Sequence, residues 1–455
     1  MTTVPTDPAT AEAPESPQSA ARPGTGAQHA ATGPRGAAHM LVPALDGLFA
    51  GGLPVRVRAW DGSEAGPRDA VTVVLNRPEG LRRILARPGE LGLARAYVSG
   101  DVDVAGDLAD GLRRVYGGRR DRGAFRPTPA ALARAARVAL ALQAVGPPPP
   151  PPASEARLRG RRHTLRRDAA AVSHHYDAGN DLYRLLLDPS MAYSCAYWEG
   201  PDATLAEAQD AKLELICTKL ALRPGSRLLD VGCGWGSLAL YAAERHGARV
   251  TAVTLSAQQA EFVRRRVAER GLGDLVTVHL GDYREIGEGA FDAVAAVEMG
   301  EHVGRREYRA FAARLRSLLA PQARLLVQQM SRRGRYRGGG PFIESYIAPD
   351  MHMRPVGETV ACLEGAGLEV RDVHALREHY VHTARAWSAE LERRWAEAVE
   401  LAGEGTARVW RLYLAGGALS FEEGRMGVDQ ILAVRPDASG GSGMPASRRE
   451  RVLGG

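Results

Sequence analysis

The chain has 455 residues, of which 45% are hydrophobic and 25% charged. That is enough to bury an ordinary core in two or three compact domains, and it excludes a wholly disordered or fibrous protein. A net charge of +6 and an isoelectric point near 9.3 suit an anionic partner, either lipid headgroups or nucleic acid. Cys195, Cys217, Cys233 and Cys362 show no paired spacing, which argues against a disulfide framework or a zinc site, and no metal is expected. No apolar run approaches the ~20 residues of a spanning helix, and the N-terminus lacks a secretory pattern. A cytoplasmic protein that meets a membrane only from the surface, at its inner face, is expected.

Residues 1–38 are Ala, Pro, Gly, Thr and Ser with few large apolar groups, and read as a disordered tail. Residues 39–120 turn globular, with Val55-Arg56-Val57, Val71–Leu75 and a helix-like Gly80–Leu85, and read as a small α+β domain associated with lipid. Residues 121–169 read as a helix followed by a linker. Thr128 caps that helix ahead of Pro129, and Pro147–Pro152 forms a stiff spacer. Arg157, Arg159, Arg161, Arg162, Arg166 and Arg167 then form a basic cluster, read with equal weight as a solvated linker or a phospholipid-docking patch.

From 170 to 436, strand-like runs alternate with helical patterns. The strands are Arg227–Asp230, Val250–Thr254, Val276–Leu280, Phe291–Val297 and Arg324–Gln328, the signature of a parallel, doubly wound α/β sheet. Residues 437–455 read as a second disordered tail.

Leu228–Gly236 runs a strand into a turn of the form G-x-G-x-G, with Gly232, Gly234 and Gly236 ahead of a new helix. Glycines let a ligand approach the backbone, and the helix start offers free N–H groups. Asp230 precedes the first glycine. Its carboxylate would repel a pyrophosphate and attract the ammonium and sulfonium ends of S-adenosylmethionine (SAM), so charge favours a methyl donor over a dinucleotide. Asp282 and Tyr283 end the third strand, where an acid could accept from an adenine amino group beside an aromatic wall, or simply hold a turn. At the end of the second strand, where such folds often place an acid for the ribose, stand Thr254, Ser256 and Gln259, with Glu298 near the same edge.

Four further segments carry a resemblance. They are His174-His175-Tyr176-Asp177 with Gly179-Asn180-Asp181, Met191–Trp198, Glu301-His302-Val303-Gly304, and Glu344-Ser345-Tyr346-Ile347 with Pro349. Together with the glycine turn, this set closely resembles the cyclopropane-fatty-acyl-phospholipid synthase family, which includes the mycolic acid cyclopropane synthases and methyl-branching relatives. The resemblance spans 172–436 and, more loosely, 41–116. It implies a class I SAM-methyltransferase fold, a doubly wound, mostly parallel sheet with a small N-terminal α+β domain, and it adds Tyr176, Tyr193 and Ser194 to the cofactor site. It also implies a bicarbonate ion as base, held by the Cys195 backbone, Glu301 and Tyr380. Gln328 stands where the family's histidine is expected, and a neutral amide brings no positive charge to an anion.

An isolated alkene is a poor nucleophile, so the implied chemistry needs alignment with the sulfonium methyl and a dry cavity. Tyr193, Tyr197, Trp198 or Tyr346 could face the cation that results. A cyclopropane is the leading product and a methylene or methyl branch the alternative. A non-catalytic lipid-binding protein and a small-metabolite methyltransferase are the rival readings. The substrate partner is membrane phospholipid and nucleic acid is not expected; a homodimer, and a reductase partner for a methylene product, are left open. His174 and His175 read as helix capping, Cys195 as a backbone contact rather than a nucleophile, and Trp387, Trp395 and Trp410 as core.

Overall fold

A computed structural model describes residues 36–48, 53–121, 128–156, 167, 180–288, 291–334 and 337–449, with only the backbone for 116–121. Of the tail expected over 1–38, residues 1–35 lie outside these residues, as do the arginines from Arg157 to Arg166 and the His174-His175-Tyr176-Asp177 segment, whereas Ala37 and Ala38 depart from the expected disorder and are buried in the first turn of a helix.

The N-terminal part is a four-stranded sheet of β1 (Arg56–Arg58), β2 (Glu64–Ala65), β3 (Thr72–Leu75) and β4 (Val102–Ala105), in the order β2-β1-β3-β4. Only β1 and β3 run parallel. The short helices Ala37–Asp46, Glu79–Ala86 and Glu90–Val98 close over it, burying Leu41, Val57, Leu75, Ala96 and Val102 together. The helix Pro129–Ala141 begins as its sequence implies. Thr128 Oγ1 accepts from the Ala131 N–H, and Pro129 occupies the first turn, where its missing donor costs nothing.

The larger sheet has seven strands: β5 (Arg227–Val231), β6 (Arg249–Thr254), β7 (Val276–Leu280), β8 (Phe291–Val297), β9 (Leu319–Ser331), β10 (Glu369–Ala375) and β11 (Gly427–Val434). Their order is β10-β11-β9-β8-β5-β6-β7. β5 to β9 are parallel, and β10 and β11 join antiparallel at one edge. Helices cover both faces, so β5, β8 and β11 are buried almost throughout and read as continuous apolar runs rather than alternating ones. Chain order reverses between β5 and β8, the crevice where doubly wound sheets bind ligands. β9 is longer than its sequence suggests, and β10 and β11 were not among the expected strands.

The helix Glu404–Glu422 serves both sheets. Val409 packs with Ala94, Val98, Phe342 and Tyr346, and Ala415 packs with Tyr97 and Leu108. Arg408 pairs with Asp103 at 2.9 Å, and Arg113 with Glu422 at 3.2 Å. At the C-terminus, residues 437–449 depart from the disordered tail expected there. The Asp437 carboxylate accepts from the N–H groups of Ser439 and Gly441, and Arg448 reaches Asp372.

Candidate active site

The glycine turn adopts the backbone its composition permits. Gly232, Gly234 and Gly236 have φ of 79°, 54° and 83°, in the left-handed region that glycine enters without a Cβ penalty. A Cβ on Gly236 would stand 2.9 Å from Val263 Cγ1, whereas one on Gly234 would meet nothing within 4 Å. Gly236 fixes helix packing and Gly234 leaves a cradle. Asp230 sits at the end of β5, 2% exposed, and its Oδ2 has no partner among the described residues. Burial raises its pKa to about 7, partly offset by the Lys212 ammonium.

Thr254 and Gln259 are buried beside this turn. Thr254 Oγ1 donates to Gln259 Oε1 at 2.8 Å, Ser256 caps the helix Ala257–Glu269, and Gln259 Nε2 is unpartnered among the described residues. These unmatched polar atoms and the cradle at Gly234 fit SAM. An unpaired carboxylate suits a cationic donor, and Gln259 can donate to a hydroxyl. Asp282 is further committed than expected. Burial alone would raise its pKa, but hydrogen bonds from Arg284, at 2.7 and 2.6 Å from its two oxygens, bring it below the usual range. Tyr283 packs edge-on to Phe311.

The segment 191–198 is laid across the C-terminal ends of the strands by buried donors. Gln209 Nε2 holds the carbonyls of Ala192 and Ser194, Lys212 Nζ donates to Ser194 Oγ, and Thr383 Oγ1 accepts from the Ala196 N–H and Trp198 Nε1. Tyr193 enters an aromatic cluster with Tyr183, Trp235, Trp387 and Trp410, and its hydroxyl donates to Tyr413 at 3.1 Å. Tyr197 stacks on His379 at 4.7 Å. Tyr346 is elsewhere, against Phe342 and hydrogen-bonded to Glu155.

Cys195, Gln328 and Tyr380 do come together, but around Glu298 rather than Glu301. The Cys195 N–H and Gln328 Nε2 donate to Glu298 Oε1 at 2.7 and 3.0 Å, and Tyr380 Oη donates to Oε2 at 2.6 Å. Glu298 therefore leaves the ribose edge proposed for it from sequence. It follows β8 with φ +51°, an uncommon conformation for a side chain of this size, and that backbone turns its carboxylate inward. Glu301 lies beside it, fully buried. Its Oε1 accepts from the Met330 N–H at 3.2 Å, and its Oε2 has no partner among the described residues. Burial and the neighbouring Glu298 charge push Glu301 up to about 8. Burial raises Glu298 too, opposed by its three donors and by Lys212. Glu298 accepts three hydrogen bonds and Glu301 one, so a proton shared by the pair rests on Glu301.

Behind Gln328 runs a polar relay absent from the sequence reading. Gln430 Nε2 donates to Gln328 Oε1 at 2.9 Å, and Lys219 Nζ donates to Gln430 Oε1 at 2.8 Å. The signal was available. Gln209, Lys212 and Lys219 share the apolar stripe of the helix Leu205–Leu220 with Ile216, and Gln430 interrupts an apolar run, so each is a polar group in a core position.

The sheet order, the glycine turn and the acid beneath it define a class I SAM-dependent methyltransferase. Residues 163–431 match the family model described as mycolic acid cyclopropane synthetase, and the chain belongs to that family. It is 39% identical over 403 residues to a probable fatty acid methyltransferase of Mycobacterium tuberculosis, covering 86% of this chain and 93% of that one. It is 37% identical over 418 residues to a probable fatty acid methyltransferase of Pseudomonas putida, covering 90% and 98%. Among solved structures, the mycolic acid cyclopropane synthase CmaA1 complexed with SAH and CTAB aligns with a TM-score of 0.55 and 33% identity, over 58% of this chain and 97% of that one.

Proposed function

We propose that this methyltransferase transfers the SAM methyl group to the cis double bond of an unsaturated acyl chain in a membrane phospholipid, with a cyclopropane as the leading product. The observation that carries this reading is the half-buried Glu298 carboxylate, held by three donors, one of which, Tyr380, packs edge-on to Trp387 of the aromatic cluster around Tyr193 and Trp235. Methylation of an amine or hydroxyl needs no base poised for a carbon-bound proton, whereas methylation of an alkene does. The names of the relatives, probable fatty acid methyltransferases aligned over 86% and 90% of this chain, support the same substrate class.

When bound, SAM supplies a methyl group on a sulfonium, electrophilic enough for an alkene. Asp230, the Gly232–Gly236 backbone, Thr254 and Gln259 would hold it. The chain's own residues do the rest. Tyr193, Trp235 and their neighbours offer ring faces that stabilise positive charge without attacking it, and they exclude water from the site. A carboxylate at the cluster removes a proton. Bicarbonate does not fit as its carrier, because Cys195, Gln328 and Tyr380 already donate to Glu298.

A methylene or methyl-branched product is the second reading, favoured by Gln328 at the position expected for histidine. A methylene product would call for a reductase partner. No described helix is long and apolar enough to cross a membrane, so contact with phospholipid would be peripheral. Mass spectrometry of phospholipid fatty acids from a host making this protein, fed isotopically labelled methionine, tests both readings. Labelled cyclopropane chains support the first and labelled methylene or methyl branches the second. Unlabelled lipid would return the protein to a soluble substrate.

A further inference from the structure

The family resemblance gathers the Cys195 backbone, Glu301 and Tyr380 around a dissolved anion, with Gln328 in the histidine's place, yet here Cys195, Gln328 and Tyr380 close on Glu298, a carboxylate that belongs to the chain. A carboxylate and a bicarbonate ion present the same planar O–C–O edge to donors. Glu298 satisfies both oxygens of that edge, Oε1 from the Cys195 N–H and Gln328 and Oε2 from Tyr380, at 2.6 to 3.0 Å. The backbone at Glu298 is held at φ +51°, a cost that a buried loop retains when the side chain it aims is needed. The relay behind it has a fixed polarity. An ammonium can only donate, so Lys219 turns the Gln430 oxygen toward itself, the Gln430 amide then donates to the Gln328 oxygen, and the Gln328 amide must face Glu298. The neutral glutamine is thus set as a donor to an anion that never leaves.

We infer that the Glu298 carboxylate is the proton acceptor of the reaction, standing where a bicarbonate ion was expected, so that turnover needs no dissolved anion. This rests on the double-bond methylation proposed above. The alkene π pair forms the new carbon–carbon bond as the sulfur–methyl bond breaks with its electrons left on sulfur, and the adjacent carbon becomes cationic. Glu298 then takes a proton from the added methyl, and the released C–H pair closes the ring. After a hydride shift it takes the proton from a neighbouring carbon instead, leaving a methylene. Glu301, the second member of the carboxyl pair, already holds the other proton, so the pair carries one negative charge before the step and none once Glu298 is protonated.

The test uses the full-length protein, radiolabelled SAM and dioleoylphosphatidylglycerol vesicles in carbon-dioxide-free buffer, with and without added bicarbonate. The wild type is expected to label lipid at the same rate in both. Glu298→Gln should lose about a hundredfold or more in rate, with SAM affinity and melting temperature unchanged. Glu298→Gly, which also relieves the backbone, should lose activity and regain it with added bicarbonate. A second readout needs no lipid: carbon-13 bicarbonate followed by NMR should bind Glu298→Gly and not the wild type. A wild-type rate that rises with bicarbonate, wild-type binding of labelled bicarbonate at the site, or a fully active Glu298→Gln would overturn the inference. No lipid labelling by wild type in either buffer would defeat the lipid reading instead, while the NMR titration would still decide what fills the site.

Discussion

Gln430 on β11 lies directly opposite Gln328 on β9, and their side-chain amides are joined by a 2.9 Å hydrogen bond. Strand register therefore sets which way the Gln328 amide points. Gln430→Leu would leave the Gln328 oxygen without its donor and take one acceptor from Lys219, which keeps His374 and Asp372. An orphaned buried group costs about 1–3 kcal/mol, so denaturant melts should show a loss on that order. Single-turnover methyl transfer should slow while SAM affinity holds.

Tyr380→Phe removes one donor from the Glu298 carboxylate and nothing from the cofactor turn. Hydrogen bonds to charged groups contribute about 1.5–3 kcal/mol, equivalent to about one to two pKa units. Losing a donor to the ionised form raises the carboxyl pKa. The acidic limb of the pH–rate profile should move toward alkaline pH by about that amount, and the change should appear in kcat more than in SAM affinity.

Asp230 links cofactor binding to pH. Its pKa is about 7 in the folded chain against an ordinary 3.8. Its contribution to apo stability is complete below 3.8, where folded and unfolded chains both hold the proton, and is lost as pH rises to about 7. Glu301 adds the same trend up to about 8. The apo melting temperature should fall through this window more steeply in wild type than in Asp230→Asn. SAM favours the ionised carboxylate, so the thermal shift it produces should widen through pH 7 in wild type and stay flat in Asp230→Asn.

Gly234→Ala and Gly236→Ala should separate binding from folding. Both replace a left-handed glycine, at a cost of about 1–2 kcal/mol each. At Gly236 the new methyl also strikes Val263, so the melting temperature should drop further. At Gly234 it projects into open space, so the larger loss should appear in SAM titration. Equal melting losses and intact SAM binding in both would remove Gly234 from the cofactor cradle.

What was legible in the sequence follows from which interactions are local. β5 and β8 announced themselves as apolar runs because both faces are buried, and the glycine turn because its backbone demands glycine. β10 and β11 escaped because they are antiparallel additions at the far edge, separated by three helices that read as core. At the site, Cys195, Gln328 and Tyr380 were each marked, yet their meeting point was misread. Glu298 and Glu301 lie three residues apart, and only the left-handed turn at Glu298 decides which carboxylate enters the cluster. Lys219, Gln430 and Gln328 come from a helix and two strands far apart in sequence, and no local pattern could join them.

The helix Glu404–Glu422 is shared property of the two sheets, so the larger one does not end at its own surface. Cutting the chain ahead of residue 170 would uncover Val409, Leu412 and Ala415 as one greasy strip and strand Arg408 without Asp103. A shortened enzyme made this way would self-associate through that strip, and its insolubility would say nothing about whether its catalytic residues were intact.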